Sequence, residues 1–134
     1  MATILAHITI RAGGEERFEA IARDLYARTH RDETGVRRYE YWRGADPRTY
    51  YTLLSFDDHR TFIAHQTSAH HEDASPALGE VIEGMRLEWI DPIVGASDLP
   101  PTEVQEALEG ADELTLAYTD RFAAAVADWW RELR

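Results

Sequence analysis

Apolar and polar residues alternate along TILAHITIR (residues 3–11), and this period of two predicts a β-strand. From Glu15 to about Glu33 the apolar residues recur every three or four positions, which predicts an amphipathic helix. Two segments rich in β-branched and aromatic residues, 36–43 and 49–56, flank an Asp-Pro turn. They predict a β-hairpin.

The next segment predicts a second helix and a last strand. Asp57 or Asp58 is suited to cap the helix, which is expected to break around Ser68 and to resume from about Ser75. Gly84 is expected to end it, and MRLEWIDPIV (residues 85–94) predicts the fourth strand.

This β-α-β-β-α-β order predicts an α+β, ferredoxin-like domain over residues 1–95, with both helices on one face of a four-stranded antiparallel sheet. Strands two to four carry apolar or aromatic residues on both faces. A face exposed to water would alternate to polar residues, so we expect the second face to meet another sheet. The simplest source of that sheet is an identical subunit, which predicts a homodimer.

Residues 96–134 form a linker and a C-terminal extension outside this domain. Apolar residues recur every three or four positions and predict an amphipathic helix, in two pieces around Gly110, that docks on the domain or on a partner subunit. The members of this stripe are Ala111, Leu114, Tyr118, Phe122, Ala125, Trp129 and Leu133.

Composition narrows the class of protein. The 134 residues carry 14 basic and 25 acidic side chains, a net charge of −11, which disfavours nucleic acid and anionic membrane surfaces as partners. No cysteine and no lysine occur, which excludes a cysteine nucleophile and a Schiff-base lysine. The N-terminal segment lacks the pattern of a signal peptide, so we expect a cytoplasmic protein.

Nucleotide-binding loops, a GxSxG elbow and an HExxH motif are absent from the sequence, so histidines are the first candidates for chemistry. His65, His70 and His71 could bind a metal together with Glu72 or Asp73. No pair has the i,i+4 spacing of two ligands on one helix face, and a solvated or capping stretch explains them equally well. His7 points to one face of the sheet, where a hydrogen-bonded core histidine is the common alternative to a functional one.

Aromatic residues and one arginine are the second set of candidates. The aromatic residues could line a cavity for a flat ligand or fill the core and a dimer interface. Arg86 could pair with Glu40 or Glu88, or could stabilise an oxyanion. The aromatic set is Tyr39, Tyr41, Trp42, Tyr50, Tyr51 and Trp89.

The stretch from residue 33 to 71 places Glu-x-Gly before strand two, Asp-Pro in the hairpin, and then Phe followed by His-x-x-x-x-His. In this pattern, and through residues 3–94, the chain resembles the antibiotic biosynthesis monooxygenase family of dimeric α+β barrel proteins. His7, His65 and Ser75 stand where the haem-degrading branch has Asn, Trp and His, so the resemblance does not extend to haem degradation.

The resemblance implies a monooxygenase that needs no cofactor or metal and oxidises an electron-rich phenol, hydroquinone or anthrone to a quinone with O2. We expect the small aromatic substrate to be activated by three catalytic residues, His65, Arg86 and His7. The expected substrate-binding residues are Tyr51, Trp42, His70 and Trp89. Two alternatives stay open: a non-catalytic ligand-binding or accessory protein, and a small-molecule isomerase.

Overall fold

A computed structural model describes residues 1–134. Its strands are β1 (Ala2–Ile10), β2 (Val36–Arg43), β3 (Thr49–Phe56) and β4 (Ile82–Trp89). Its helices are α1 (Glu15–Asp32), α2 (His59–Gln66), α3 (Ala69–Val81), α4 (Glu113–Arg121) and α5 (Asp128–Arg131). None of these helices combines the length and the apolar composition needed to span a lipid bilayer.

The four strands form one antiparallel sheet in the order β2-β3-β1-β4, which confirms the predicted ferredoxin-like fold. Even-numbered residues of β1 and β3 point to the helices and are buried, because side chains alternate between the faces of a strand. The core between sheet and helices contains Ile4, Ile8, Ile10, Phe18, Leu25, Tyr39, Tyr50, Leu54, Phe56, Phe62 and Ile63.

The connection between α1 and β2 depends on Gly35. Its φ of 78° lies in the left-handed region, and a Cβ there would lie 2.9 Å from the Cγ2 of Thr61. Glycine therefore lets this loop approach α2 closely. The loop carries Glu33, which as a result lies beside the helical segment that contains the histidines.

Three boundaries in the second half differ from expectation. The break at Ser68 is confirmed, but α3 resumes at Ala69 rather than near Ser75, because the Ser68 hydroxyl accepts a hydrogen bond from the His71 amide. Strand β4 begins at Ile82 rather than residue 85, and it ends at Trp89 rather than at 94. Gly84 lies inside this strand opposite Thr9, where the register shifts, and does not end the helix.

The C-terminal extension forms the predicted two-piece helix around Gly110 only in part: residues 96–110 contain no helix, and α4 and α5 both follow Gly110. Tyr118 and Phe122 pack on the core of their own chain, whereas Leu114, Trp129 and Leu133 are exposed. The ring of His59 is buried, with Nδ1 2.8 Å from the Gln105 carbonyl oxygen and Nε2 3.0 Å from that of Phe122. His59 therefore holds two separate segments of the extension against α2.

We predict that Phe122→Ala lowers the free energy of unfolding by about 2 kcal/mol, because the ring packs against Phe62 and Tyr118 and is only half-buried. Urea denaturation of the full chain measures this loss. Trp129→Ala is the matched control: its ring is 63% exposed, and its unfolding midpoint is expected to stay within error of the wild type. Equal losses in both variants would contradict the observed docking.

One ion pair ties α1 to the hairpin. The Arg43 guanidinium donates to both carboxylate oxygens of Glu19, at 2.6 and 2.7 Å, and the Tyr50 hydroxyl donates at 3.0 Å. Hydrogen bonding from Arg43 is the main cause that lowers the pKa of Glu19 to about 2, and burial opposes it. The Glu19 side chain is 20% exposed, whereas that of Arg43 is 74% exposed, so solvent weakens the pair.

A lowered carboxylate pKa adds stability that is present above the unfolded-state pKa and is lost as the pH falls through the folded-state pKa. For Glu19 this loss runs from about pH 4.5 down to about 2. We therefore expect Glu19→Gln to unfold with a shallower pH dependence than wild type in that range, measured by denaturation at a series of pH values. Glu16→Gln, on the exposed side of α1, is expected to keep the wild-type slope. A wild-type slope in Glu19→Gln would disprove the assignment.

Candidate active site

The sheet separates the sequence-predicted site residues into two groups. Trp42, Tyr51, His7 and Arg86 are register partners in one row across the four strands, on the face that carries no helices. His65, His70 and Trp89 lie on the helix-covered side. The expected single site built from His65, Arg86 and His7 is therefore not formed within one chain, because the sheet lies between its members.

On the open face, His7 and Arg86 share one carboxylate partner, Glu88. Nε2 of His7 and Nη1 of Arg86 each lie 2.9 Å from the same Glu88 oxygen. Of the two expected roles of Arg86, an ion pair with a carboxylate or stabilisation of an oxyanion, the structure shows the ion pair, with Glu88. The His7 ring meets Tyr51 edge-on at a centroid distance of 5.5 Å. Trp42 next to them is 58% exposed. This row is a polar and aromatic surface, and not a cavity.

His65 lies on the side of α2 that faces the sheet, with 1% of its surface exposed. Its Nδ1–H donates to the Glu33 carboxylate, 2.9 Å from Oε1 and 3.0 Å from Oε2. The opposite ring nitrogen, Nε2, is buried and has no hydrogen-bond partner. A carboxylate accepts and does not donate, so this pair places a proton on Nδ1, and in the neutral ring Nε2 then carries a free lone pair.

Two more histidines adjoin this pair. His70 Nε2 lies 2.8 Å from Oε1 of Glu33, and it also lies 3.2 Å from the Thr29 hydroxyl and 3.4 Å from that of Ser68. The His71 ring is 5.0 Å from that of His65, and its buried Nδ1 is unpartnered. Burial lowers the pKa of His71 to about 4, so that its ring is neutral at neutral pH.

Two tyrosines connect His65 to a pocket at the edge of the sheet. The Tyr39 ring meets the His65 ring at 4.8 Å, and its hydroxyl lies 2.8 Å from that of Tyr41. Burial raises the pKa of Tyr41 to about 12 and that of Tyr39 well above 10, so both hydroxyls remain protonated donors at neutral pH.

Tyr41 also lines a pocket of about 500 Å³ between α1 and β2. This volume is in the usual range of small-molecule sites. Aromatic rings supply most of its apolar wall, and ion-paired groups surround them. The lining residues are Glu19, Ala22, Arg23, Tyr26, Glu40, Tyr41, Trp42, Arg43 and Tyr50. A second, more polar groove of about 920 Å³ runs between α2 and the C-terminal extension, and Glu33 and His65 form part of its wall.

Trp89 lies on the helix side but away from this pocket. Its ring contacts His59 at 5.7 Å and Phe62 at 5.5 Å, under the C-terminal extension. It therefore packs the core where substrate binding was expected. Of the expected substrate-binding residues, only Trp42 touches the pocket of α1 and β2, and it does so from the edge of β2.

Sequence reasoning missed Glu33 as the partner of His65, and it took Glu72 or Asp73 as the carboxylate beside the histidines. Glu72 instead accepts a hydrogen bond from the Tyr118 hydroxyl. The Glu-x-Gly spacing was the available signal. It places the Glu33 carboxylate two residues before Gly35, whose positive φ forms the turn into β2.

Comparisons with known proteins agree with this architecture. The family model described as antibiotic biosynthesis monooxygenase matches residues 1–77. The "putative antibiotic biosynthesis monooxygenase" of Caulobacter crescentus has 20% identity and a TM-score of 0.65, with 69% of this chain and 89% of that chain covered. Protein PA3566 of Pseudomonas aeruginosa has 23% identity and a TM-score of 0.62, with 66% and 90% covered.

These structural likenesses are below 25% identity and establish the fold alone. A search of curated protein sequences finds no match. The family model, however, covers more than half of the chain, from β1 into α3, and includes Glu33, His65 and His70. The chain therefore belongs to the antibiotic biosynthesis monooxygenase family.

Proposed function

We propose that this protein is a cofactor-independent monooxygenase that oxidises an electron-rich aromatic molecule, a phenol, hydroquinone or anthrone, to a quinone with O2. The observation that carries the proposal is the Glu33–His65 pair, in which Nδ1 is bonded to a carboxylate and the buried Nε2 is free. A base of this kind, oriented by a carboxylate, accepts a proton from a substrate.

The chemistry that follows needs only the substrate anion and O2. Loss of a C–H proton from an anthrone-like CH2 to His65 gives a carbanion that reduces O2 and forms a C–O bond, which yields a hydroperoxide when His65 returns the proton. Loss of water then takes the second hydrogen from carbon and breaks the O–O bond. One oxygen atom ends in the quinone carbonyl and the other in water, so atoms and electrons balance.

In this proposal the aromatic ring of the substrate occupies the pocket of α1 and β2. Stacking surfaces there come from Tyr26, Tyr41 and Trp42. Protonated Tyr41 donates to the developing oxyanion. The Tyr39 ring lies between Tyr41 and His65, so in this proposal Tyr39 moves aside before the substrate proton reaches Nε2 of His65. Arg86, His7 and Tyr51 have no role in this step, since the sheet separates them from the pocket.

We expect His65→Gln to slow anthrone-dependent oxygen uptake about a hundredfold, because it removes the proton acceptor. Tyr41→Phe removes one hydrogen bond to the anion and is expected to cost about five- to tenfold. Oxygen consumption by chelator-treated full-length protein measures both effects.

Two controls test these variants. Tyr118→Phe also removes a tyrosine hydroxyl, but one that donates to Glu72 outside the pocket, and Asp128→Asn removes a carboxylate that is 98% exposed. Both are expected to keep wild-type uptake. No turnover by wild type over a panel of anthrones and hydroquinones would overturn the proposal, as would full activity in His65→Gln.

A non-catalytic ligand-binding role is the second candidate. The observation that favours it is that Tyr39 and Phe56 pack against His65, at ring distances of 4.8 and 5.1 Å, and that Nε2 is closed off from solvent. In that case flat aromatic molecules bind in the pocket of α1 and β2 and quench Trp42 fluorescence, but no oxygen is consumed.

We propose further that two copies join through the open face of the sheet. Leu5, Leu53 and Tyr51 are only partly exposed there, and with Trp42 they form an aromatic and aliphatic patch crossed by the Glu88 ion pairs. Patches of this kind are normally covered in assemblies. The arrangement assigns His7, Arg86 and Tyr51 to the interface.

Sedimentation equilibrium at micromolar protein is expected to give about twice the chain mass of 15.3 kDa. Leu53→Arg, which places a charge in the centre of the open face, should shift the protein to a monomer. Met85→Arg is the control, because Met85 is 54% exposed on the other side of edge strand β4. A wild-type protein that stays monomeric would refute the dimer.

A further inference from the structure

Three potential metal ligands meet where α1, α2 and α3 come together. Glu33 follows α1, His65 lies in α2 and His70 lies in the first turn of α3. Their side chains are 13%, 0% and 11% exposed, so all three are largely removed from water. The ion pairs of Glu33 are with these two histidines and not with an arginine, although the chain has 14 arginines.

The donor atoms of these residues converge. Oε1 of Glu33 is 2.9 Å from Nδ1 of His65 and 2.8 Å from Nε2 of His70, and all three donor atoms lie within 4.8 Å of one another. Ligands about 2.1 Å from one ion lie roughly 3 to 4 Å apart. Side-chain shifts of about 1 Å or less would therefore place the three donor atoms around one ion, with Glu33 moving slightly away from both rings and the two rings moving together, and water would fill the remaining position. Ligands from three separate elements also give the site a fixed shape.

We propose that Glu33, His65 and His70 form a binding site for one divalent transition-metal ion of the Zn²⁺ type. Two imidazole nitrogens and one carboxylate oxygen favour Zn²⁺, Co²⁺, Ni²⁺ or Fe²⁺ over Mg²⁺ and Ca²⁺, which prefer sets made of oxygen alone. The carboxylate supplies the negative charge that offsets the cation, and both histidines bind as neutral rings.

Metal binding and the role of His65 as a base exclude each other. A neutral imidazole that binds an ion through Nδ1 carries its proton on Nε2, so the nitrogen that is free in the Glu33 hydrogen bond becomes a donor. The ion is therefore an inhibitor of the oxygenation reaction. This consequence rests on the proposed function, whereas the binding site itself does not.

Isothermal titration calorimetry of chelator-treated full-length protein with Zn²⁺ tests the site directly. We expect one ion per chain, a rise in Tm on saturation, and visible absorption from a four- to six-coordinate ion when Co²⁺ replaces Zn²⁺. Glu33→Gln and His70→Gln should each weaken binding about tenfold or more. His30→Gln, on the exposed side of α1, should bind as wild type does.

Circular dichroism of the metal-free variants checks their folding. If Glu33→Gln unfolds, the affinity of His70→Gln for Zn²⁺ is the test of the site. This variant is expected to fold, because a glutamine amide can keep the contacts of His70 with the Thr29 and Ser68 hydroxyls. Absence of saturable Zn²⁺ binding to wild type, or equal affinity in wild type and His70→Gln, would overturn the site. Loss of oxygen uptake on Zn²⁺ loading supports inhibition, and full uptake by the loaded protein disproves it. Inactive metal-free protein that still binds Zn²⁺ at this site would overturn the proposed function alone.

Discussion

The carboxylate of Glu33 is the contact on which the interior of this protein depends. It lies at the end of α1, in a loop that only a glycine at position 35 lets approach α2, and it meets ring nitrogens from α2 and α3. A buried imidazole next to a carboxylate is held in one tautomer and one orientation. Two proposals follow from that contact: the base, which is the free Nε2 of His65, and the metal site, in which Nδ1 of His65 and Nε2 of His70 converge on the carboxylate.

The sheet imposes the second constraint. Side chains of a strand alternate between its faces, so a histidine at position 7 and the buried isoleucines at 8 and 10 face opposite ways. This separates a helix-covered interior, where histidines and tyrosines are shielded from water, from an open face where His7 and Arg86 share Glu88. His7 and Arg86 on the open face have Glu88 as their partner, whereas Nε2 of His65 inside has none.

The sequence predicted the elements where local signals dominate. Segments 36–43 and 49–56 match β2 and β3 because alternation and the Asp-Pro turn act over a few residues, and Asp58 caps α2 as expected. The alternation of residues 3–11 already places His7 on the face opposite the buried isoleucines, and so away from His65 in α2, although the expected site combined the two histidines. Local signals do not predict contacts between segments that are far apart in the sequence. Glu33 contacts His65, which is 32 residues away. His59 contacts backbone carbonyls of the C-terminal extension, a segment whose apolar stripe predicted only a helix.

Nitrogen NMR of the histidine rings tests the central claim most directly. In metal-free, ¹⁵N-histidine-labelled protein, the account predicts that the neutral ring of His65 carries its proton on Nδ1 and not on Nε2. Glu33→Gln should loosen this preference, because an amide can donate as well as accept. A proton on Nε2 of the neutral His65 ring in the metal-free wild type would contradict the account.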